Sequence, residues 1–198
     1  MQRRIGLTGG IASGKSTVGR LLEERGWPVL DADRYARDAL APNSACTCAV
    51  IARYGSVVGD GSALNRAELG QIVFNNPAER QWLEQLVHPL VHQRFEQELQ
   101  RLKASPVVVL MIPLLFEAGL ETLCNEVWVV DCEPHQQLDR LMIRNGLSEA
   151  DAQTRLAAQW PLRRKRTLAD VVINNRGSTD ALIDQLNRYA PPSHETTS

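Results

Sequence analysis

The feature that most constrains this chain is a phosphate-binding pattern near its N-terminus, Gly9-Gly10-Ile11-Ala12-Ser13-Gly14-Lys15-Ser16. It fits G-x-x-x-x-G-K-[ST], a loop that turns successive backbone N–H groups toward phosphate oxygens. An apolar run, Arg4–Leu7, precedes the pattern, and a helical run, Thr17–Glu24, follows it. Because strand, loop and helix stand in the order that this loop requires, we expect the chain to bind a nucleoside triphosphate with magnesium.

The residue types of the loop suit this chemistry. Its glycines lack a Cβ, so they tolerate positive φ and let the backbone approach a ligand closely. The following helix begins near Lys15 and directs its free N–H groups and positive dipole end at the same anion. We expect Lys15 to reach the β- and γ-phosphates, Ser16 to hold Mg²⁺ and Thr17 to lie near the α-phosphate.

Composition narrows the class of protein further. The chain has 198 residues, of which 43% are hydrophobic, and this suits one compact α/β core with insertions. A net charge of −1 gives no field that favours nucleic acid or membrane, and no apolar window reaches the length of a transmembrane helix. The first residues run directly into a strand, so we expect no targeting peptide and a cytoplasmic location. A monomer is the default expectation for a chain of this size.

The cysteines and histidines form no metal-binding pattern. Cys46 and Cys48 are the one closely spaced pair and have no second pair nearby, so we expect all four cysteines, which include Cys124 and Cys132, to be reduced thiols. His88 and His92 are four residues apart but lack the glutamate of the H-E-x-x-H zinc pattern.

Five apolar runs predict strands, at Arg4–Leu7, Trp27–Leu30, Val107–Ile112, Glu126–Val130 and Asp170–Ile173. A continuous apolar run is typical of a parallel strand that is covered on both faces. Helical patterns lie between the runs. The sequence therefore predicts an α/β fold, a doubly wound five-stranded parallel sheet of the P-loop, nucleoside-monophosphate-kinase-like type, which binds ligands at the carboxyl edge of the sheet.

Two stretches are predicted to be insertions in a single P-loop kinase domain. Residues from about 35 to 102 are too long for one crossover and show broken helical periodicity, so we expect a helical substrate domain. Residues from about 134 to 160 are expected to form two helices that act as a movable lid. The core is then expected at about 1–34, 103–133 and 161–190, with a disordered tail at 190–198.

The missing motifs exclude two classes of P-loop protein. A GTPase should carry N-K-x-D and D-x-x-G, and the chain contains neither pattern. A motor ATPase usually has an apolar strand that ends in paired acids, whereas Val107–Ile112 ends in Pro113. A small-molecule kinase needs a carboxylate near the acceptor hydroxyl and arginines over the phosphates. Asp33, just beyond the second predicted strand, is our candidate carboxylate, and Asp31 is expected to be structural.

Other roles for these polar residues stay open at this point. Asp33 or Asp31 could instead cap the helix that follows. Arg140 and Arg144 share one helix face, where they could clamp a phosphoryl group or simply be solvated. The run Arg163-Arg164-Lys165-Arg166 could also contact phosphates, but a run of this kind is more often a solvated surface.

Several further runs carry a resemblance to a known family. In chain order they are Gly6–Thr17, Asp31–Asp33, His88-Pro89, Ile112–Glu117, Arg140–Arg144, Gln159 and Ala169–Asn175. On these runs the chain resembles the dephospho-coenzyme A kinase family over roughly residues 3 to 188. The resemblance implies ATP-dependent phosphorylation of the ribose 3′-hydroxyl of dephospho-coenzyme A, which gives coenzyme A and ADP, with Mg²⁺ as cofactor.

The resemblance also implies a role for each matching residue. Catalytic roles fall to Lys15, Asp33, Arg140 and Arg144, and Mg²⁺ binding falls to Ser16. ATP binding falls to Gly10, Ala12, Ser13, Gly14, Lys15, Ser16, Thr17 and Asn175, the last of these near the adenine. Acceptor binding falls to Thr8, Asp33, His88, Leu114, Leu115 and Phe116, with the helical insertion as the acceptor domain.

The chain departs from the family pattern at three positions. Met111 stands where an acidic residue is frequent, Asn65 where aspartate is frequent, and Ala12 where glycine is frequent. Any metal-side role of an acid at 111 is therefore absent or supplied by another residue. A charge contact at 65 is not expected, although Asn65 can cap a helix as well as aspartate does. Two rival interpretations remain: another P-loop kinase, acting on a nucleoside, nucleotide or shikimate-like metabolite, and a non-catalytic nucleotide-binding switch.

Overall fold

The computed structural model describes residues 1–59 and 63–191 of the chain. These residues divide into two units: a sheet unit, Met1–Asp31 with the chain from Leu102 onward, and a helical unit, Ala32–Arg101. In chain order the elements are β1 (Arg3–Gly9), α1 (Lys15–Glu23), β2 (Val29–Asp31), α2 (Ala32–Ala39), α3 (Ala45–Tyr54), α4 (Arg66–Asn75), α5 (Pro77–Arg101), β3 (Val107–Met111), β4 (Glu126–Asp131), α6 (Pro134–Asn145), α7 (Glu149–Ala157), α8 (Leu162–Arg166), β5 (Val171–Asn174) and α9 (Thr179–Tyr189).

The sheet unit contains the predicted parallel sheet. Within the described residues its strands lie in the order β2-β3-β1-β4-β5, and every neighbouring pair is parallel. The fold class predicted from the apolar runs is therefore confirmed. Strand β1 lies at the centre, where Leu7 pairs with Met111 on one side and Trp128 on the other, so the loop that follows β1 leaves the middle of the carboxyl edge.

Burial of apolar side chains stabilises this sheet. The strands β1, β3 and β4 contribute Ile5, Val109 and Trp128 to a core that α1 covers with Leu22 and α9 covers with Leu186. Full burial of such side chains contributes about 1.5–3 kcal/mol each, before the entropy of ordering them is counted. The phosphate loop is therefore carried on a rigid support.

Strand β2 begins later than its apolar run predicts. The backbone N–H of Trp27 donates to Leu22 O at 3.1 Å, and Gly26 adopts φ +80°, so both residues belong to the turn that ends α1. Pro28 offers no N–H, although its carbonyl accepts from Val109 N at 2.9 Å. The ladder then runs to Asp31, which brings the carboxyl end of β2 closer to Asp33 than the pattern indicated.

The helical unit has a separate apolar core. Val50, Val58 and Leu69 are buried together, and Tyr35 packs edge-on against Phe95 with ring centroids 5.1 Å apart. The longest helix, α5, contains Pro89, which supplies no N–H to the helical ladder.

At its C-terminal side the structure describes the chain as far as residue 191. Ala190, where the predicted core ends and the predicted tail begins, is fully buried in the core of the sheet unit, and its N–H donates to Leu186 O at 2.7 Å. The rest of that prediction, at 192–198, falls outside the described residues. Across the described ranges, no helix is both long enough and apolar enough to cross a membrane.

Candidate active site

The phosphate loop joins the end of β1 at Gly9 to the start of α1 at Lys15. Lys15 Nζ donates to Gly9 O at 3.1 Å and to Gly10 O at 2.8 Å, and Ser13 N donates to Gly10 O at 3.2 Å. Gly14 precedes α1 with φ +101° and no side chain caps the helix. The first N–H groups of α1 therefore have no capping side chain, which leaves them suited to an anion.

Ala12 adopts φ +58°, in the left-handed region. This conformation costs an alanine about 1 kcal/mol that a glycine would not pay. The resemblance placed a frequent glycine at this position, and the positive φ gives its physical reason.

Two glutamine side chains hold Ile11 in the middle of the loop. Ile11 N donates to Gln159 Oε1 at 2.9 Å, and Ile11 O accepts from Gln137 Nε2 at 2.8 Å. Gln137 lies on α6, and Gln159 follows α7. The sequence analysis missed Gln137 altogether, because a contact across 126 residues leaves no trace in local periodicity.

The structure brings Asn175 and Arg140 together beside the loop but not Arg144. Asn175 Nδ2 donates to Ser13 O at 2.8 Å, and Arg140 Nη2 donates to Asn175 O at 3.3 Å. Arg140 Nη1 is buried and has no hydrogen-bond partner among the described residues. Arg144 is exposed, and its Nε donates to Asn145 Oδ1 at 3.0 Å. The solvated alternative therefore describes Arg144 better than Arg140.

A cavity of about 710 Å³ opens beside the loop, with Gly10, Gln137 and Trp160 in its wall. Acidic and basic side chains share another part of its lining: Asp131 accepts from Arg176 Nη2 at 2.7 Å and from Arg166 Nη1 at 3.2 Å. The hydrogen bond to Asp131 raises the pKa of Arg176, so this guanidinium stays charged. Asp131 and Arg176 were not singled out from the sequence, since their pairing spans 45 residues, and Arg166 was named only as part of the basic run.

The segment that follows β3 carries three of the predicted acceptor-binding residues, Leu114, Leu115 and Phe116. Its Pro113 O accepts from Thr8 Oγ1 at 3.1 Å, and both Thr8 and Leu115 are fully buried. In this structure these two side chains support the segment and offer no surface to a ligand. Leu114 and Phe116 are only half-buried, and the ring of Phe116 stacks on Trp160 with centroids 6.3 Å apart.

One residue of the basic run is not on the surface. Arg163, Arg164 and Arg166 are exposed, as expected, whereas Lys165 is fully buried, with its Nζ 2.8 Å from Glu117 Oε1. The expected solvated surface is therefore wrong at Lys165. Lys165 follows the half-buried Leu162 by three residues, so both lie on the inner face of the short helix α8. This helical spacing could have predicted the burial of Lys165.

The structure also gives positions for the remaining candidate residues, Asp33, His88, Asn65 and Met111. Asp33 lies inside the first turn of α2, which begins at Ala32, so it is not the helix cap that the alternative proposed. His88 is exposed on α5. Asn65 caps α4 by accepting from Ala67 N and Glu68 N at 3.2 and 3.3 Å. Met111 packs its sulfur toward Gly19 of α1, so this departure serves packing.

The donor set suits a magnesium ion that is bound mostly through a nucleotide. Ser16 is exposed as the second residue of α1. The described part of the chain contains no group of three or more His, Cys, Asp or Glu residues that could hold a metal by themselves. Mg²⁺ keeps several waters and takes few protein ligands together with substrate phosphates, so one serine hydroxyl fits this group.

The cysteines differ mainly in burial. None of the four, all of which lie in the described residues, forms a disulfide, and Cys48 alone is exposed. Burial raises the pKa of the Cys124 thiol to about 12, so it remains protonated at neutral pH.

Comparison with known proteins agrees over nearly the whole chain. The family model for dephospho-CoA kinase matches residues 3–181. A dephospho-CoA kinase of Parasynechococcus marenigrum (strain WH8102) is 60% identical over 197 residues, which cover 100% of both chains. A solved protein of Thermus thermophilus is 37% identical with a TM-score of 0.82 and covers 95% of this chain and 96% of that one. A solved dephospho-CoA kinase of Campylobacter jejuni is 28% identical with a TM-score of 0.71 and covers 96% of each chain.

Proposed function

The chain belongs to the dephospho-CoA kinase family, whose ATP-dependent activity serves coenzyme A biosynthesis, and we propose that it phosphorylates the ribose 3′-hydroxyl of dephospho-CoA. The hydroxyl oxygen forms a bond to the γ-phosphorus, and the bond from that phosphorus to the β–γ bridging oxygen breaks. Coenzyme A and ADP are the products. The observation that carries the proposal is the phosphate loop. The loop leads into α1, whose start has no capping side chain, and Lys15 Nζ donates to Gly9 O and Gly10 O of the loop.

The loop binds the phosphates of ATP. Backbone N–H groups between Ala12 and Thr17 and the positive end of α1 attract the anion. Lys15 exchanges its contacts with Gly9 O and Gly10 O for the β- and γ-phosphates, and so it neutralises charge that spreads over the transferring group. Asn175, which already donates to Ser13 O, borders the adenine side of the loop.

Asp33 orients the acceptor. It follows the carboxyl end of β2 by two residues and lies in the first turn of α2. Its carboxylate accepts a hydrogen bond from the 3′-hydroxyl and takes up the proton as the new bond forms. His88, Leu114 and Phe116 each contribute to binding dephospho-CoA, and the buried Thr8 and Leu115 fix the segment that carries Leu114 and Phe116. The helical unit serves as the acceptor domain.

The helices α6 and α7 act as the lid. Arg140, with one guanidinium nitrogen unpartnered in the described structure, directs positive charge toward the nucleotide, and Arg144 joins it when the lid closes. Closure excludes water, which would otherwise compete with the acceptor for ATP. Ser16 would hold Mg²⁺, which would supply positive charge at the phosphate oxygens. We place the enzyme in the cytoplasm as a monomer.

The direct test is ADP release with Mg-ATP and a panel of acceptors that includes dephospho-CoA, adenosine, AMP and shikimate. We expect turnover with dephospho-CoA alone, and loss of that turnover when Mg²⁺ is chelated. The position of the new phosphate is read from the product by ³¹P and ¹H NMR. Turnover with another acceptor, or a phosphate at a different hydroxyl, would contradict the proposal.

A further inference from the structure

A buried ion pair joins two segments of the sheet unit. Lys165 Nζ lies 2.8 Å from Glu117 Oε1 and donates to Pro113 O at 3.2 Å. Lys165 is 0% exposed, and the side chain of Glu117 is 16% exposed. One ammonium group therefore contacts both ends of the segment Pro113–Glu117, which we call the acceptor segment because it carries Leu114 and Phe116.

The pair is a poor device for stability alone. Taking both charges out of water carries a desolvation penalty that their mutual attraction often only just offsets, and apolar replacements of similar volume are often neutral or stabilising. Glu117 Oε2 is also buried without a hydrogen-bond partner among the described residues, which adds to the penalty. An arrangement this costly is better explained by what it holds in place.

The pair holds the wall of the cavity. Glu117 Oε1 also accepts from Trp160 N at 3.0 Å. The indole of Trp160 is stacked on Phe116, and the guanidinium carbon of Arg164 lies 3.3 Å from its ring centroid. Trp160 lines the same cavity as Gly10 of the phosphate loop. Lys165 and Glu117 therefore fix the acceptor segment and the wall of the cavity relative to each other.

We infer that Lys165, through Glu117, is a positioning residue that sets the acceptor segment for phosphoryl transfer. The inference rests on the proposed function of that segment in binding dephospho-CoA. Small displacements of a substrate-positioning group lower turnover strongly, because the reacting atoms must meet within a narrow range of distance and angle. Nucleotide binding depends on the phosphate loop, which the pair does not contact directly in the described structure, so ATP affinity is not expected to depend on it.

The test compares the full-length wild type with the double variant Lys165→Met/Glu117→Gln. The double variant removes both charges with little change of volume, whereas Lys165→Met alone leaves Glu117 buried without its cation and is the harder variant to fold. Lys103→Met, at an exposed lysine of the same unit, is the matched control. Each protein is measured for melting temperature, for Kd of a non-hydrolysable ATP analogue by calorimetry, and for kcat and KM with dephospho-CoA.

We expect the double variant to fold and to bind the ATP analogue within about twofold of the wild type, while kcat/KM for dephospho-CoA falls about 10- to 100-fold. The control should match the wild type in every measurement. Unchanged kcat and KM in the double variant, a parallel loss of ATP affinity, or a failure to fold would each overturn the inference. If the wild type itself shows no turnover with dephospho-CoA, the proposed function fails, and this result is visible before any variant is compared.

Discussion

The sheet unit and the helical unit hold their charged side chains in different ways. In the sheet unit, Asp131 and Lys165 are almost fully buried, and each is paired beside the cavity. In the helical unit the comparable pair is Arg53 with Glu79, whose side chains are 41% and 20% exposed. Arg53 also lies over the ring of Trp82, 4.6 Å from its centroid. A partly exposed pair costs little to form, whereas a buried pair is costly.

The comparison distinguishes charged residues beside the cavity of the sheet unit from charged residues that join helices on the surface of the helical unit. Charges at the carboxyl edge of the sheet are buried and paired, and these pairs hold the segments around the cavity in place. Charges on the surface of the helical unit instead join α3 to α5, as the pair Arg53–Glu79 does. Substitutions in the first set should therefore alter turnover, and those in the second set should alter stability.

The largest effect is expected at Lys15. Lys15→Ala removes the cation that neutralises the β- and γ-phosphates, so kcat should fall by about 10³-fold, while the melting temperature should stay near that of the wild type. Coupled ADP release measures the loss. Activity close to wild type would contradict the assignment of the phosphate loop.

Asp33→Asn should have the next largest effect. It keeps the shape of the side chain but removes the proton acceptor, so kcat should fall by about 10²-fold with little change in ATP affinity. Steady-state kinetics and calorimetric titration with an ATP analogue separate the two effects. If ATP affinity fell and turnover held, Asp33 would act on the nucleotide side, not on the acceptor.

Ala12→Gly tests backbone strain in the loop. Relief of the left-handed φ at Ala12 is opposed by the greater freedom of glycine in the unfolded chain, so we expect a gain in stability of no more than about 1 kcal/mol. Activity should be unchanged, because this part of the loop binds phosphate through its backbone. Urea unfolding at matched pH gives the free-energy difference, and a destabilised variant would contradict the expected strain relief.

The pair Arg53–Glu79 predicts a small effect on stability that depends on pH. Hydrogen bonds from Arg53 and Tyr54 lower the pKa of Glu79 to about 2 from its usual 4.5. A carboxyl whose folded pKa is lowered stabilises the protein above pH 4.5 and loses that contribution as the pH falls toward 2. Glu79→Gln should therefore lower the melting temperature slightly at pH 7 and progressively less below pH 4.5. A difference that is constant from pH 7 to pH 3 would contradict this, and Glu23→Gln serves as the exposed control.

The smallest expected effect concerns the reactivity of the cysteine thiols toward an alkylating reagent. Because burial raises the pKa of Cys124 to about 12, alkylation by iodoacetamide at pH 8 should modify the exposed Cys48 first and leave Cys124 intact in the folded protein. Mass spectrometry of peptides follows the order of modification, and early labelling of Cys124 would show that its burial is not maintained in solution.

The sequence predicts the parts of this protein that local patterns encode. The phosphate loop is a contiguous motif, and the five strands are contiguous apolar runs, so both can be recognised from the sequence alone. The family resemblance is confirmed by the family model over residues 3–181. The roles given to Lys15, Asp33, His88 and the two arginines remain predictions for the variants described above.

The sequence did not predict the long-range polar contacts around the loop. Lys165 and Glu117 are 48 residues apart in the numbering, and Gln159 contacts Ile11 across 148 residues. Such pairs depend on how the strands are ordered in the sheet, which periodicity does not specify. A run of four basic residues also favours the prediction of an exposed surface, so the burial of Lys165 was not predicted.

The position of Trp160 gives the protein an intrinsic fluorescent reporter. Of the four tryptophans in the chain, Trp27 and Trp128 lie in the core of the sheet unit and Trp82 packs in the helical unit, whereas Trp160 lines the cavity between an aromatic ring and a guanidinium group. Emission from this indole depends on its contacts with Phe116 and Arg164, and the indole itself lines the cavity. Occupancy of the cavity can therefore be followed by intrinsic fluorescence in the unlabelled enzyme, with Trp160→Phe as the variant that silences the response.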